Sequence, residues 1–269
     1  MKISIIQTEV SYKNKRENIS RVSSLLSAAK EIGDLVLLPE LFSTGYIFNE
    51  ASEIHELSEK FAGSQTIESL RSLAKKFNTV IVAGIAEEDN GQYFNTIAVI
   101  DKNGLIDRYR KISQTNIDRQ YFSRGNQLTT FKYQGVTFGV AICFDLWFPE
   151  IVREYSRLGV DILLHPSNFG GEQSLQISRA RAIENSMYVV TCNRVGSDIT
   201  KDLTGIYRGC SQICSPDGNY LIRLGDAHTL ATVELDIDVS SPKQVIAVDL
   251  NHERDSILSQ LKTNITKHN

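Results

Sequence analysis

Short β-type apolar runs alternate with stretches of helical spacing along most of this chain, which confines it to a layered α/β arrangement. Residues 2–9 open as a strand pattern. From Asn14 to Lys30, the residues Ile19, Val22, Leu25, Leu26 and Ala29 recur at helical intervals, with Gly33 placed as a C-terminal stop. A β-type run over 34–38 stops at Pro39. Ser64 is an N-cap for a helix that carries Ile67, Leu70, Leu73, Ala74 and Phe77 on one face, and a strand over 79–86 follows. Asp89-Asn90-Gly91 and Lys102-Asn103-Gly104 read as hairpin turns between antiparallel strands, the last ending at Lys111. The apolar run 136–142, Pro149 near a helix start, Gly159 at its end, strands near 161–165 and 187–193 and a helical stretch over 172–186 repeat the alternation. Pro216-Asp217-Gly218 turns a late hairpin, 229–236 makes a last strand, and 252–261 reads as a short helix before a tail, 262–269, expected to fray. The pattern predicts a two-layer β core with helices on its outer faces. No internal duplication is visible in the residues themselves.

Length and charge narrow the function classes. A chain of 269 residues, 41% hydrophobic and 23% charged, suits one large α/β domain. Its net charge of -3, without a long basic block, favours neither nucleic acid nor an anionic membrane as partner. The strand pattern begins at once and no long apolar segment occurs, so cytoplasmic residence is expected. The cysteines, Cys143, Cys192, Cys210 and Cys214, are then expected to be reduced. Cys210 and Cys214 have no further thiol pair or His-x-x-x-His partner to complete a metal site, and their even spacing suggests one strand face and core packing.

Three strand ends carry groups of chemical interest. The run Val136 to Ile142 delivers Cys143 at a strand-to-helix junction, where free backbone N–H groups stabilise a thiolate or an acyl oxyanion. Taken alone, such a cysteine reads first as a small buried hydrophobe. Asp34 to Leu38 leads through Pro39 to Glu40, and Gly104 to Arg110 leads to Lys111. Each of these alone is an ordinary surface charge. Together they supply a nucleophile, a proton acceptor and a cation for an oxyanion, at the strand ends where α/β sheets collect catalytic groups.

These residues resemble the nitrilase superfamily of carbon–nitrogen hydrolases. The resemblance rests on Leu38-Pro39-Glu40-Leu41-Phe42-Ser43-Thr44-Gly45-Tyr46, on Tyr109-Arg110-Lys111, and on Ile142-Cys143-Phe144-Asp145-Leu146-Trp147-Phe148-Pro149-Glu150. It extends through His165-Pro166-Ser167-Asn168, the stretch 179–185 and Tyr188 to Gly196, covering roughly residues 1 to 250. The resemblance implies an α/β four-layer α-β-β-α sandwich with mixed sheets, a domain over 1–250 followed by a helix and tail over 251–269, and a homodimer or higher homo-oligomer. It implies a Glu40, Lys111, Cys143 triad that hydrolyses a small linear amide or N-carbamoyl compound through a cysteine thioester, with Lys111 and the Phe144 N–H holding the oxyanion. No metal or organic cofactor is implied.

Departures from the family pattern fall near the site. A His-Leu pair commonly follows the lysine, whereas Ile112-Ser113-Gln114 stands here, and Asp118 occupies the position of a second family glutamate. Asp118 reads as a positioning group shortened by one methylene, or as a free turn acid. Trp147 stands where many relatives carry arginine, offering apolar surface and one N–H donor, or else core packing. Tyr46, Asn168 and Asn193 are further pocket candidates, whereas Arg181, Glu184 and Asn185 read as structural ion pairs and caps. Other readings stay open: a Cys-His acyltransferase or protease using His165, nitrile hydrolysis, and a non-catalytic ligand-binding or scaffold relative suggested by the altered loop.

Overall fold

A computed structural model of the protein describes residues 1–239 and 243–261. The first half forms β1 (Lys2–Gln7), α1 (Lys15–Ala28), β2 (Leu35–Leu37), α2 (Ala51–Leu57), α3 (Gln65–Phe77), β3 (Val80–Asp89), β4 (Gln92–Asp101), β5 (Gly104–Arg110) and α4 (Asp118–Tyr121). The second forms β6 (Thr130–Tyr133), β7 (Val136–Val140), α5 (Pro149–Arg157), β8 (Ile162–Ser167), α6 (Gln173–Asn185) and β9 (Tyr188–Asn193). After these come β10 (Val195–Ile199), β11 (Thr204–Arg208), β12 (Gln212–Cys214), β13 (Tyr220–Arg223), β14 (Thr229–Glu234) and α7 (Leu250–Gln260).

Two six-stranded sheets, ordered β14-β1-β2-β3-β4-β5 and β13-β12-β9-β8-β7-β6, stack face to face. Between them Ile3, Ile5, Leu35 and Val82 meet Phe138, Val140, Ile162 and Leu164. On the outer face of the first sheet Val36 and Ile81 pack under Val22 and Leu26 of α1 and Leu70 of α3. On the second, Leu163 and Val189 pack under Val152 and Tyr155 of α5 and Ala182 of α6. Burying one such aliphatic side chain is worth about 2 kcal/mol, so strands apolar on both faces are driven to the centre of four layers.

The halves share one topology. In each sheet three parallel strands are joined by helical crossovers, followed on one side by two antiparallel strands and flanked on the other by one. The sequence conceals this repeat because sheet stacking constrains only which positions are apolar. Since β4 runs against β3 and β5 against β4, β5 points the same way as β3. Lys111, just past β5, therefore emerges at the same edge as Glu40, just past β2.

Several expectations hold and several need correction. The Ser64 cap is present, its hydroxyl accepting from the Ile67 N–H at 3.0 Å. Helix α1 ends at Ala28 with an extended cap residue, and Gly33 is not its stop. Gly33 is bare for another reason: a Cβ there would stand 2.6 Å from the Lys2 carbonyl oxygen. Cys214 lies in the core, but Cys210 precedes β12 with φ of +55° and shares no strand face with it. The α2 segment and the β10–β11 hairpin, absent from the sequence reading, wall the loops beside the Glu40 edge. Among the described residues, no helix is long and apolar enough to cross a membrane. The expected frayed tail, 262–269, lies outside the described residues.

Gly84 of β3 is where the fold fixes Glu40. Its N–H donates to the Pro39 carbonyl at 3.2 Å and its carbonyl accepts from the Phe42 N–H at 3.1 Å. A Cβ would sit 2.3 Å from Leu41 N and 2.6 Å from Glu40 Cα. Gly84→Ala is expected to cost about 3 kcal/mol, read by thermal melting, and to reduce turnover by displacing Glu40.

Candidate active site

Glu40 is fully buried. Its Oε1 accepts hydrogen bonds from Lys111 Nζ at 2.8 Å and from Asn95 Nδ2 at 2.7 Å, while Oε2 has no protein partner. Lys111 Nζ donates equally to Asp118 Oδ2 at 2.9 Å. Asp118 Oδ2 also accepts from the Thr115 N–H at 2.9 Å, the Thr115 hydroxyl at 2.8 Å and the Tyr46 hydroxyl at 3.2 Å. Two carboxylates thus compete for one ammonium, and the extra donors decide the outcome. Burial works against an ionised Asp118, but Lys111 and the Thr115 donors hold it below its ordinary value. Burial, with the Asp118 charge adding to it, leaves Glu40 above its ordinary value despite Lys111. Lys111 stays a cation because the charges of Asp118 and Glu40 outweigh its burial. Asp118 is the standing anion, and Glu40 is the carboxyl able to exchange a proton.

Cys143 faces this cluster from the other sheet. It adopts φ of +46°, in the left-handed region, and begins a 3₁₀ turn over Cys143–Trp147. The helix starts at Pro149, where the sequence placed it, because the residue before a proline is driven out of helical geometry and Phe148 is extended. The left-handed turn costs on the order of 1–3 kcal/mol and persists because partners clamp it. Asp145 is the main clamp: it accepts from the Ile142 N–H at 2.9 Å, the Tyr109 hydroxyl at 2.8 Å and the Ser113 N–H at 2.7 Å. It therefore ties the turn to both ends of the Lys111 segment.

The Cys143 side chain is partly exposed, and its thiol is pushed well above its ordinary value by burial and by the Glu40 charge, against the pull of Lys111 and the Asn168 backbone N–H. This geometry fits a thiol that needs the proton acceptor expected at Glu40. The resting cluster already holds more carboxylate than cation, so the sulfur keeps its proton until a base removes it.

His165 is buried between Thr191 Oγ1 on Nδ1 and the Cys143 carbonyl and Ser167 hydroxyl on Nε2, each at 3.0 Å. Burial lowers its pKa to about 4, so the ring is neutral at pH 7. It grips the Cys143 main chain and not the sulfur, which removes the Cys-His alternative.

A carbon-nitrogen hydrolase family model matches residues 2–245. The chain belongs to the carbon–nitrogen hydrolase family. It is 32% identical over 248 residues to a nitrilase of Pyrococcus abyssi, covering 91% of this chain and 93% of that protein. It is 32% identical over 248 residues to a 2-oxoglutaramate amidase of Bacillus subtilis, covering 89% and 92%. The fold matches an amidase of the nitrilase superfamily from Nesterenkonia AN1 with a TM-score of 0.79 at 22% identity, covering 97% of this chain and 96% of that one. The protein is a carbon–nitrogen hydrolase, and Cys143 stands at the strand exit where the nucleophile of such an enzyme was expected.

Around the centre of this carbon–nitrogen hydrolase, the pocket candidates separate. Phe144 is the second residue of the 3₁₀ turn, where a first-turn N–H has no carbonyl one turn back to bind. Tyr46 is buried, its hydroxyl 2.7 Å from Thr115 Oγ1 and its ring 5.5 Å from Lys111 Nζ. Asn168 is buried with both side-chain polar atoms unpaired, a costly state that a polar ligand group would relieve. Asn193 is not free for substrate: it bonds Phe169 N–H, Phe169 O and Gly209 O at 2.9–3.0 Å and shapes the loop beyond Asn168. Trp147 is 42% exposed, so it is not core, and its indole N–H donates to Ser174 Oγ at 3.2 Å. Arg181 holds the Leu146 and Trp147 carbonyls and pairs with Glu184 at 3.0 Å, and Asn185 bonds the Arg181 carbonyl at 2.9 Å.

Sequence reasoning missed Asn95, Thr115 and Asp145. Asn95, a buried carboxamide inside the apolar β4, and Asp145, an acid between apolar residues, broke their local patterns and carried that signal.

Proposed function

We propose that Cys143 is the nucleophile, Glu40 the general base and then acid, and Lys111 with the Phe144 N–H the oxyanion donors in hydrolysis of a small linear amide or N-carbamoyl compound. The observation that carries this reading is the unpartnered, buried Oε2 of Glu40. With Oε1 committed to Lys111 and Asn95, one oxygen alone remains to accept a proton. Glu40 takes the thiol proton as sulfur attacks the carbonyl carbon, and the negative oxygen is held by Lys111 and Phe144. The tetrahedral carbon then expels ammonia, which leaves with the proton from Glu40, and a thioester forms on Cys143. Glu40 next removes a proton from water as it attacks the thioester, and the returning sulfur regains a proton as the acid departs. Asp118 positions Lys111, and Asn168 and Tyr46 line the acyl pocket. Trp147 leaves no anion clamp four residues past the nucleophile, so the acyl portion is neutral or modestly charged.

Purified protein should release ammonia from at least one member of an amide, nitrile and carbamoyl panel, and Cys143→Ala should abolish it. Trapped acyl-enzyme, weighed intact, identifies both nucleophile and acyl group. Turnover surviving in Cys143→Ala would refute the assignment. Because Glu40 must be ionised to act and sits above its ordinary value of 4.5, kcat/KM should fall on the acid side with a midpoint above 4.5. A midpoint below that value would assign the limb to another group.

We further infer a homo-oligomer in the cytoplasm, with 1–250 as the catalytic domain and 251–269 as an appended helix and tail. Ile257 and Leu258 of α7, 51% and 61% exposed, offer a second copy an apolar surface. A monomeric mass by light scattering would refute it.

A further inference from the structure

Behind Tyr46 lies a second buried charge cluster with no part in the steps above. Arg194 and Asp198 are fully buried, joined by two hydrogen bonds of 3.0 Å, and Arg194 stacks 4.2 Å over the Tyr207 ring. Asp198 Oδ2 takes three further donors: the Tyr46 N–H at 2.8 Å, the Ile47 N–H at 3.3 Å and the Tyr207 hydroxyl at 2.9 Å. Arg194 also reaches the Val10 carbonyl at 3.3 Å. Gly45, with φ of +93°, lets the chain pass so close that a Cβ would lie 3.3 Å from Asp198 Oδ1. One carboxylate from the β10–β11 hairpin thus holds the main chain that follows Glu40, and it does so at the residue whose hydroxyl reaches Asp118 and whose ring faces Lys111.

We propose that Asp198, held by Arg194, is a positioning residue for the reaction, acting through the Tyr46 main chain on the Lys111–Asp118 pair. The proposal rests on the reading of Glu40, Lys111 and Cys143 as the reacting groups. A surface ion pair would tolerate neutralisation, but each Asp198 oxygen faces N–H groups that cannot accept, Arg194 on Oδ1 and the Tyr46 and Ile47 N–H groups on Oδ2, so a carboxamide must turn its NH2 toward one of them. The Tyr46 segment then shifts, its hydroxyl leaves Asp118, and Asp118 draws Lys111 away from Glu40.

The test is a double-mutant cycle of Asp198→Asn and Tyr46→Phe with two readouts: kcat and KM on an active amide, and the pH dependence of Cys143 alkylation by iodoacetamide. Asp198→Asn is expected to lower kcat about tenfold with KM within about twofold, and to move the acid limb of both profiles to higher pH. The double variant should lose much less than the product of the single losses, because both act through one hydroxyl. Losses that multiply, or an unmoved acid limb in Asp198→Asn, would overturn the proposal. If Asp198→Asn does not fold, Tyr207→Phe removes one Asp198 donor, leaves the ion pair, and should show the same coupling on a smaller scale. A wild-type protein inactive on the whole amide panel would sink the functional reading alone, since the alkylation cycle would still decide the clamp.

Discussion

Glu40→Gln is expected to reduce kcat by up to about 10⁴-fold while the protein remains folded. The substitution preserves shape: the carboxamide oxygen can still accept from Lys111 and Asn95, as Oε1 does at 2.8 and 2.7 Å. What it removes is the one carboxylate oxygen without a partner, Oε2, which it replaces with an NH2 group unable to take a proton. The thiol stays protonated at neutral pH because its own value is already raised. Both halves of the reaction lose their base. Pre-steady-state kinetics separate the two: acylation should slow, and any thioester that does form should persist long enough to be weighed. A kcat within tenfold of wild type would mean that another group takes the thiol proton.

Lys111→Met is expected to do damage of a different kind. Activity should fall by about 10²–10³-fold through loss of an oxyanion donor, and stability by about 3–5 kcal/mol, because Glu40 and Asp118 are left buried without their cation. The pH dependence carries the sign of that change. In the wild type, Asp118 lies below its ordinary value of 3.8, so its contribution is complete at neutral pH and fades as pH falls from that ordinary value through the lowered one. Without Lys111, burial raises both carboxyls, and each destabilises the fold wherever it is ionised. The variant should therefore gain more melting temperature than the wild type as pH falls from about 8 to about 5, because Asp118 joins Glu40 as a raised carboxyl only when Lys111 is gone. A variant that loses stability over that range would show that Lys111 does not set the balance between the two acids.

Much of this protein is readable in one dimension. Periodicity placed the strands and helices because burial alternates with local geometry, and a residue such as Ser64 declares its cap by its own side chain. The chemistry at the ends of β2, β5 and β7 was equally visible, since thiol, carboxylate and amine stand at strand exits. The residues hardest to read were those whose partners are distant in the chain. Asn95 looks like a polar lapse in a strand until it bonds Glu40, and Asn193 looks like a pocket residue until it bonds Phe169 and Gly209. His165 could have met the thiol, and meets the Cys143 carbonyl.

By itself, then, the sequence determined the layer order, the family and the candidates for the reacting groups, because these depend on hydrophobic spacing and on side-chain type. Only the tertiary structure decided which of two buried carboxyls keeps its charge and which exchanges a proton. That choice depends on how many donors surround each oxygen, and the donors to Asp118 and Glu40 come from β4, the Thr115 turn and the loop carrying Tyr46. They are brought together by the stacking of strands, which no local pattern encodes.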